Sequence, residues 1–194
     1  RCWKKRGHGA INLHDALVQS CDVYFYTLGQ RLGIDNLAKY AKKLGFGSHT
    51  GIGLIGEKSG LIPSTAWKKK VKNEVWFPGE TISASIGQGY NLVTPLQNAS
   101  MISAIANGGF LSKPYLVKKI EDSEGKLIKE FSPKSLTNIE MDPEILKHLK
   151  EGLRGVVYEP HGTGHRARLK NVVVSGKTGT AQVVGMKDSK DIDP

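Results

Sequence analysis

Three consecutive β-branched residues, Val172, Val173 and Val174, run into Ser175-Gly176-Lys177-Thr178-Gly179-Thr180 and leave through Ala181-Gln182-Val183. β-Branched runs suit a buried strand. Here the run opens onto small residues, as it does where another backbone lies close against a strand. Glycines on both sides of Lys177 and Thr178 open the main chain to a ligand. Lys177 adds a fixed positive charge, and Thr178 and Thr180 add hydroxyl donors. Such an edge is suited to hold an extended peptide by strand addition and to clamp its carboxylate.

The remaining segments supply helices and one hairpin. Asn12 is placed to cap a helix through Leu13, Ala16 and Leu17, reaching Ser20-Cys21-Asp22. A second helix is expected from Val23 to Leu32, stopped by Gly33, and a third over Asn36 to Leu44 behind an Asp35 cap. Residues 46–63 are rich in glycine and without period, a loop with at most one short strand, and Ser64 to Lys70 reads as a short basic helix. Thr94-Pro95-Leu96-Gln97 has the cap, the proline and the glutamine of a helix start, and that helix should run to Ala106. Tyr115–Ile120 and Lys126–Phe131 should pair about a turn at Asp122–Gly125. Asp142-Pro143 opens a helix whose Ile145, Leu146, Leu149 and Leu153 share a face, and residues 160–170 form a loop holding His161 and His165.

The net charge is +10. Its densest runs, Lys4-Lys5-Arg6 and Lys68-Lys69-Lys70, do not interleave with several stacking aromatics, which argues for solvated faces near an anionic surface and against a nucleic-acid partner. Two cysteines are too few for a disulfide scaffold, and no run of eighteen apolar residues occurs. The chain opens at Arg1-Cys2-Trp3 and closes in a polar tail, so residues 1–194 are expected to be the central part of a larger domain.

Ser20-Cys21-Asp22 falls at a helix–helix junction, where either polar side chain would serve as an ordinary cap. Paired with Lys177-Thr178-Gly179 in this order, however, it resembles the second of the three signatures of penicillin-binding proteins, with Asp22 where that signature has asparagine. Trp3-Lys4-Lys5-Arg6-Gly7-His8-Gly9, Ile86-Gly87-Gln88-Gly89-Tyr90, Thr94-Pro95-Leu96-Gln97 and Gly176-Lys177-Thr178-Gly179-Thr180-Ala181-Gln182-Val183 extend the likeness to class B penicillin-binding proteins of the penicillin-binding protein 2, rod-shape type, over nearly the whole chain. The family's remaining signature, Ser-x-x-Lys, supplies the acylated serine and belongs at the start of a buried helix upstream of Ser20. Ser123-Glu124-Gly125-Lys126 fits the string but falls in the hairpin turn, so the nucleophile is expected outside this chain, which alone would be inactive.

The resemblance implies an α/β (α+β) fold, an antiparallel sheet flanked by helices with the cleft at a sheet edge. It implies peptidoglycan D,D-transpeptidation: a serine opens the terminal D-alanyl-D-alanine bond of a stem peptide and the acyl group passes to a neighbouring strand's amine. Ser20 would relay a proton to the leaving amine and Asp22 would accept hydrogen bonds from lysine or substrate. Lys177 would polarise the site, Thr178, Gly179 and Thr180 would bind the substrate carboxylate, and the Thr180 N–H would form half of an oxyanion hole. β-Lactams would acylate the same serine. The implied setting is the bacterial periplasm, on a chain anchored in the inner membrane beside a glycosyltransferase partner. A β-lactam sensor domain and a serine β-lactamase share the signatures. The first gives no reason for the Gly87-Gln88-Gly89 and Thr94-Pro95-Leu96-Gln97 pairing, and the second needs a glutamate base that does not stand out here.

Catalysis of this kind requires no cofactor. Cys2, His8 and Cys21 nevertheless form a Cys-x5-His-x12-Cys set of soft ligands suited to a structural zinc, and some relatives are expected to carry a metal there. A Cys2–Cys21 disulfide and simple burial of Cys21 are the alternatives. His161 and His165 are read as polar loop residues near the cleft.

Overall fold

The computed structural model describes residues 2–182 and divides the chain into two compact units. The first takes the described residues of Arg1–Leu37, Pro63–Asn91 and Glu151–Pro194, and the second takes Ala38–Ile62 and Leu92–Lys150.

The first unit is helical. Helix α1 (Leu13–Val18) starts where the sequence predicts, the Asn12 side chain accepting from the Asp15 N–H. Helix α2 (Asp22–Leu32) follows after three residues and ends at Gly33, while α3 begins at Ile34. Asp35 does not cap α3. It lies inside that helix's first turn and accepts from the N–H and hydroxyl of Thr65, so it fastens the head of α4 (Thr65–Lys72) beside the Ser64 cap. Helix α5 (Pro78–Ala84) packs against α2 at Gly29, where a Cβ would fall 2.4 Å from the Ser85 Cβ. That close approach sets Ser85, just after α5, against the C-terminal part of α2. Cys2, Ala16 and Cys21 form a buried cluster covered by Ile11, Tyr24 and Phe25.

Lys68 departs from the solvated basic face expected of its run. Only 1% of it is exposed, and it contacts Glu80 at 2.5 Å, Glu74 at 3.3 Å and the face of Phe77. Burial works to lower its pKa, but hydrogen bonds and charge from the two carboxylates prevail and raise it. Glu80 also accepts from the Phe77 N–H, so one carboxylate ties Lys68 to the start of α5. Trp67 and Trp76 flank Tyr90, with ring centroids at 5.1 and 6.3 Å.

The second unit holds the described strands. After α6 (Pro95–Ala106), β1 (Phe110–Lys113) pairs antiparallel with β4 (Lys134–Asn138), Phe110 facing Asn138. Between them β2 (Lys119–Glu121) and β3 (Leu127–Glu130) make the expected hairpin, shorter at its first strand than the sequence suggested. Thr94 and Gln97 form the reciprocal capping box, and the buried Gln97 amide also donates to the carbonyls of Ser48 and Ser59. Leu111, Ala104 and Ile139 form this unit's core with Leu44 and Met141. Helix α7 (Pro143–Tyr158) takes the place predicted for it.

The fold class is the expected mixture of helices and antiparallel strands, but Val172–Gln182 forms no strand. A strand needs a ladder partner, and among the described residues none lies alongside: Val172 and Val173 remain 60% and 67% exposed. The segment is held by other bonds. Gly176 N–H donates to the Leu153 carbonyl at 3.0 Å, and the Tyr158 hydroxyl bonds at both Val172 and Val174. Val183 lies outside the described residues.

Candidate functional site

The first unit contains a cleft of about 620 Å³ whose walls carry Ser20, Asp22, Lys177, Thr178, Gly179 and Thr180. The two sequence motifs, 157 residues apart at Ser20 and Lys177, meet there: Lys177 Nζ donates to Ser20 Oγ at 2.8 Å. The same ammonium reaches the Thr178 carbonyl at 3.1 Å and Thr178 Oγ1 at 3.2 Å. Three N–H bonds thus find three acceptors, which leaves the Ser20 hydroxyl proton free to point elsewhere.

The local fold sets this geometry. Ser20 sits between α1 and α2 with φ at +52°, in the left-handed region that L-residues other than Asn and Asp rarely enter. Trp3 holds the turn. Its indole N–H is shared by the carbonyls of Gln19 and Ser20 at 3.1 and 3.0 Å, and its backbone N–H donates to Asp22 Oδ2 at 3.2 Å. Neither Ser20 nor Asp22 acts as a helix cap: the N-cap of α2 is Cys21, and its side chain makes no capping bond. The polar pair is therefore turned toward the cleft. Asp22 at the head of α2 also lies where the helix dipole favours negative charge.

Much of the Lys177 side chain is exposed, but partial burial of its ammonium lowers the pKa from its usual value, with the charge of Asp22 working in the opposite direction. A lysine so placed gives up a proton more readily than a free one. That property suits a group that supplies a proton through Ser20.

Sequence reasoning missed several cleft residues. Gln88, inside the Gly87-Gln88-Gly89 turn after α5, directs its amide toward the Thr180 carbonyl at 3.5 Å, and the Gly89 N–H donates to Gln182 Oε1 at 3.0 Å. Thr163 touches Thr178, hydroxyl to hydroxyl, at 3.0 Å. Trp3 and Phe25 add aromatic wall. The glycines flanking Gln88 and Thr163 were the available signal, since they mark backbone brought close to another element. His161 and His165 belong to no ligand cluster among the described residues.

Cys2, His8 and Cys21 do come together. Their ligand atoms lie within 4.8 Å of one another, and Cys2 Sγ is 3.5 Å from His8 Nδ1. Both cysteines are buried free thiols, and His8 Nε2 is buried without a partner. Burial, then the charge of Lys4, lowers the His8 pKa against the pull of Asp22, which favours the neutral imidazole that metals bind.

The profile of the penicillin binding protein transpeptidase domain matches residues 1–193. The peptidoglycan D,D-transpeptidase MrdA of Acinetobacter baumannii is 37% identical over 190 residues, which cover 98% of this chain and 28% of that protein. The crystal structure of Pseudomonas aeruginosa PBP2 in complex with WCK 5153 superposes with a TM-score of 0.81 at 36% identity, over 94% of this chain and 41% of that one. A structure described as the coordination of polymerization and crosslinking by a peptidoglycan synthase complex gives 0.78 at 37% identity, over 96% of this chain and 30% of its counterpart. The chain thus spans less than a third of the curated relative's length.

Proposed function

The chain belongs to the penicillin-binding protein transpeptidase domain family, and we propose that residues 1–194 form the central part of a peptidoglycan D,D-transpeptidase that cross-links stem peptides through an acyl-serine intermediate. The observation that carries this reading is the 2.8 Å bond between Lys177 Nζ and Ser20 Oγ in a cleft walled by Thr178, Gly179 and Thr180. In this reading the acylated serine comes from outside these residues.

The hydrogen bonds support the following course of reaction. Ser20 Oγ accepts from Lys177, so its own proton is available to the amine of the departing D-alanine. As Ser20 gives up that proton, Lys177 replaces it, and its lowered pKa makes the replacement easier. Asp22 opposes the loss of charge from Lys177, and its carboxylate remains an acceptor for lysine or substrate N–H. The hydroxyls of Thr178 and Thr180 receive the substrate's terminal carboxylate. Thr180 N–H stabilises the oxyanion together with a donor beside the acylated serine. The β-lactams react because they carry an acyl bond and a carboxylate in the same relation.

The chemistry needs no cofactor. A structural zinc fits Cys2, His8 and Cys21, a donor set of two soft sulfurs and an imidazole whose ligand atoms lie within 4.8 Å of one another. Zinc there would pin the Trp3 loop that holds Ser20. We infer, as the resemblance implies, that the full-length protein is anchored in the inner membrane with this domain in the periplasm, beside a glycosyltransferase; a similar structure described as a peptidoglycan synthase complex coordinating polymerization and crosslinking supports a polymerising partner.

The test is release of D-alanine and formation of cross-linked dimer from pentapeptide substrates by the full-length protein. Loss of both in Ser20→Ala and Lys177→Ala supports the reading. Rapid multiple turnover of a chromogenic β-lactam would instead indicate a lactamase, and acylation without cross-linking a sensor.

A further inference from the structure

Thr163 donates or accepts in two places at once. Its Oγ1 lies 3.0 Å from Thr178 Oγ1 and 3.4 Å from the carbonyl oxygen of Val18, a residue buried in α1. A carbonyl can only accept, and the Lys177 ammonium can only donate, here to Thr178 Oγ1 at 3.2 Å. These two fixed ends set the direction of the chain between them. With the cleft as described, Thr163 gives its proton to Val18, and Thr178 gives its own to Thr163. The Thr178 proton then points away from any ligand.

A carboxylate arriving at Thr178 has no proton to offer and must be met by one. Thr178 can meet it only by turning its O–H outward, which leaves the Thr163 oxygen facing the Thr178 oxygen without a hydrogen between them. The longer bond, 3.4 Å to Val18, is the one to yield. Thr163 then turns and donates to Thr178, and Thr178 donates to the carboxylate. Hydrogen bonds chained in one direction polarise and strengthen each other.

The loop around Thr163 is built to hold it there. Gly164 N–H donates to the Val156 carbonyl at 2.8 Å, and Gly162 N–H to the Glu159 carbonyl at 2.9 Å. A Cβ on Gly162 would fall 2.4 Å from Val156 O, and one on Gly164 would fall 3.0 Å from Val156 Cγ1. The two glycines press the loop onto the end of α7, where backbone cannot give way, and Thr163 between them is carried into the cleft wall.

We propose that Thr163 is a positioning residue that reverses the hydroxyl chain when a substrate carboxylate binds, so that Thr178 donates to it. This inference rests on the reading of Thr178 as a carboxylate-binding residue of a penicillin-binding site. Its signature is selectivity for the carboxylate, beyond the overall rate. The experiment measures acylation of the full-length protein by benzylpenicillin and by its methyl ester, in the parent, in Thr163→Val, Thr163→Ser and Thr178→Val, and in the double variant T163V/T178V. Loss of one such hydrogen bond should lower the acid-to-ester rate ratio about five- to tenfold in T163V. T163S keeps the hydroxyl and should restore the ratio, and T163V should add nothing to T178V. An unchanged ratio in a folded T163V, or a T163S as defective as T163V, overturns the proposal while leaving the transpeptidase reading intact. A folded parent that neither compound acylates overturns both.

Discussion

The left-handed backbone at Ser20 separates what its hydroxyl does from what its position costs. An L-residue in this region is strained by about 1–2 kcal/mol, and glycine is free of that strain. Glycine also has more freedom to lose on folding, which offsets about 0.4–1 kcal/mol of the gain. Ser20→Gly and Ser20→Ala both remove the oxygen that accepts from Lys177, so that loss cancels between them. The difference between the variants should therefore be about 0.5–1 kcal/mol in favour of glycine, reversing the usual order of the two residues. For a domain of this size that is a melting-point difference of about 1–4 °C. Urea unfolding and thermal melts of the two full-length variants read it directly, while both should be strongly impaired in cross-linking. If Ser20→Ala is as stable as Ser20→Gly or more so, the residue is not held left-handed and the account of how Trp3 aims it fails.

Gln97→Leu should strip the Ser48 and Ser59 carbonyls and the Thr94 N–H of partners at a site 1% exposed, costing about 3 kcal/mol or more in urea unfolding; a cost under about 1 kcal/mol would contradict that accounting. Because the folded pKa of Lys177 is lowered, the folded state binds fewer protons than the unfolded one between that pKa and the usual 10.5. Stability should therefore rise with pH across that window, and subtracting the stability profile of Lys177→Met from that of the parent should leave this rise. An identical profile in the variant would mean that Lys177 is not shifted. Elemental analysis should find one zinc per chain in the parent and none in Cys21→Ser, and a metal-free parent would leave the Cys2, His8 and Cys21 cluster as buried thiols and imidazole only.

Elements fixed by neighbours in sequence were legible in it. Asn12 and the Thr94–Gln97 box cap helices through bonds three residues long, and the turn at Asp122 closes on its own side chain. What depended on distant partners was read less well. Asp35 looks like the cap of the helix it opens and instead holds Thr65. Lys68 looks solvated among lysines, and Glu74, Glu80 and Phe77 bury it. Strands β1 and β4 escaped notice because their exposed faces show no clean alternation: only Leu111 among their residues is buried. The Val172–Val174 run has strand composition but, among the described residues, no strand to pair with. In the site, Ser20 and Lys177 could be matched by motif with roles, Gln88 lay in a matched motif without one, and Thr163 was visible only as a residue between glycines. The turn that brings each to Thr178 or Thr180 is a tertiary fact.

The central claim is that Lys177 and Ser20 belong to a penicillin-reactive transpeptidase site. Acylation of the full-length protein by a fluorescent penicillin, with and without Lys177→Ala, tests it most directly. Stable labelling of the parent and strong loss in the variant is the predicted result. A folded parent that takes no label, or a Lys177→Ala variant labelled as fast as the parent, would contradict it.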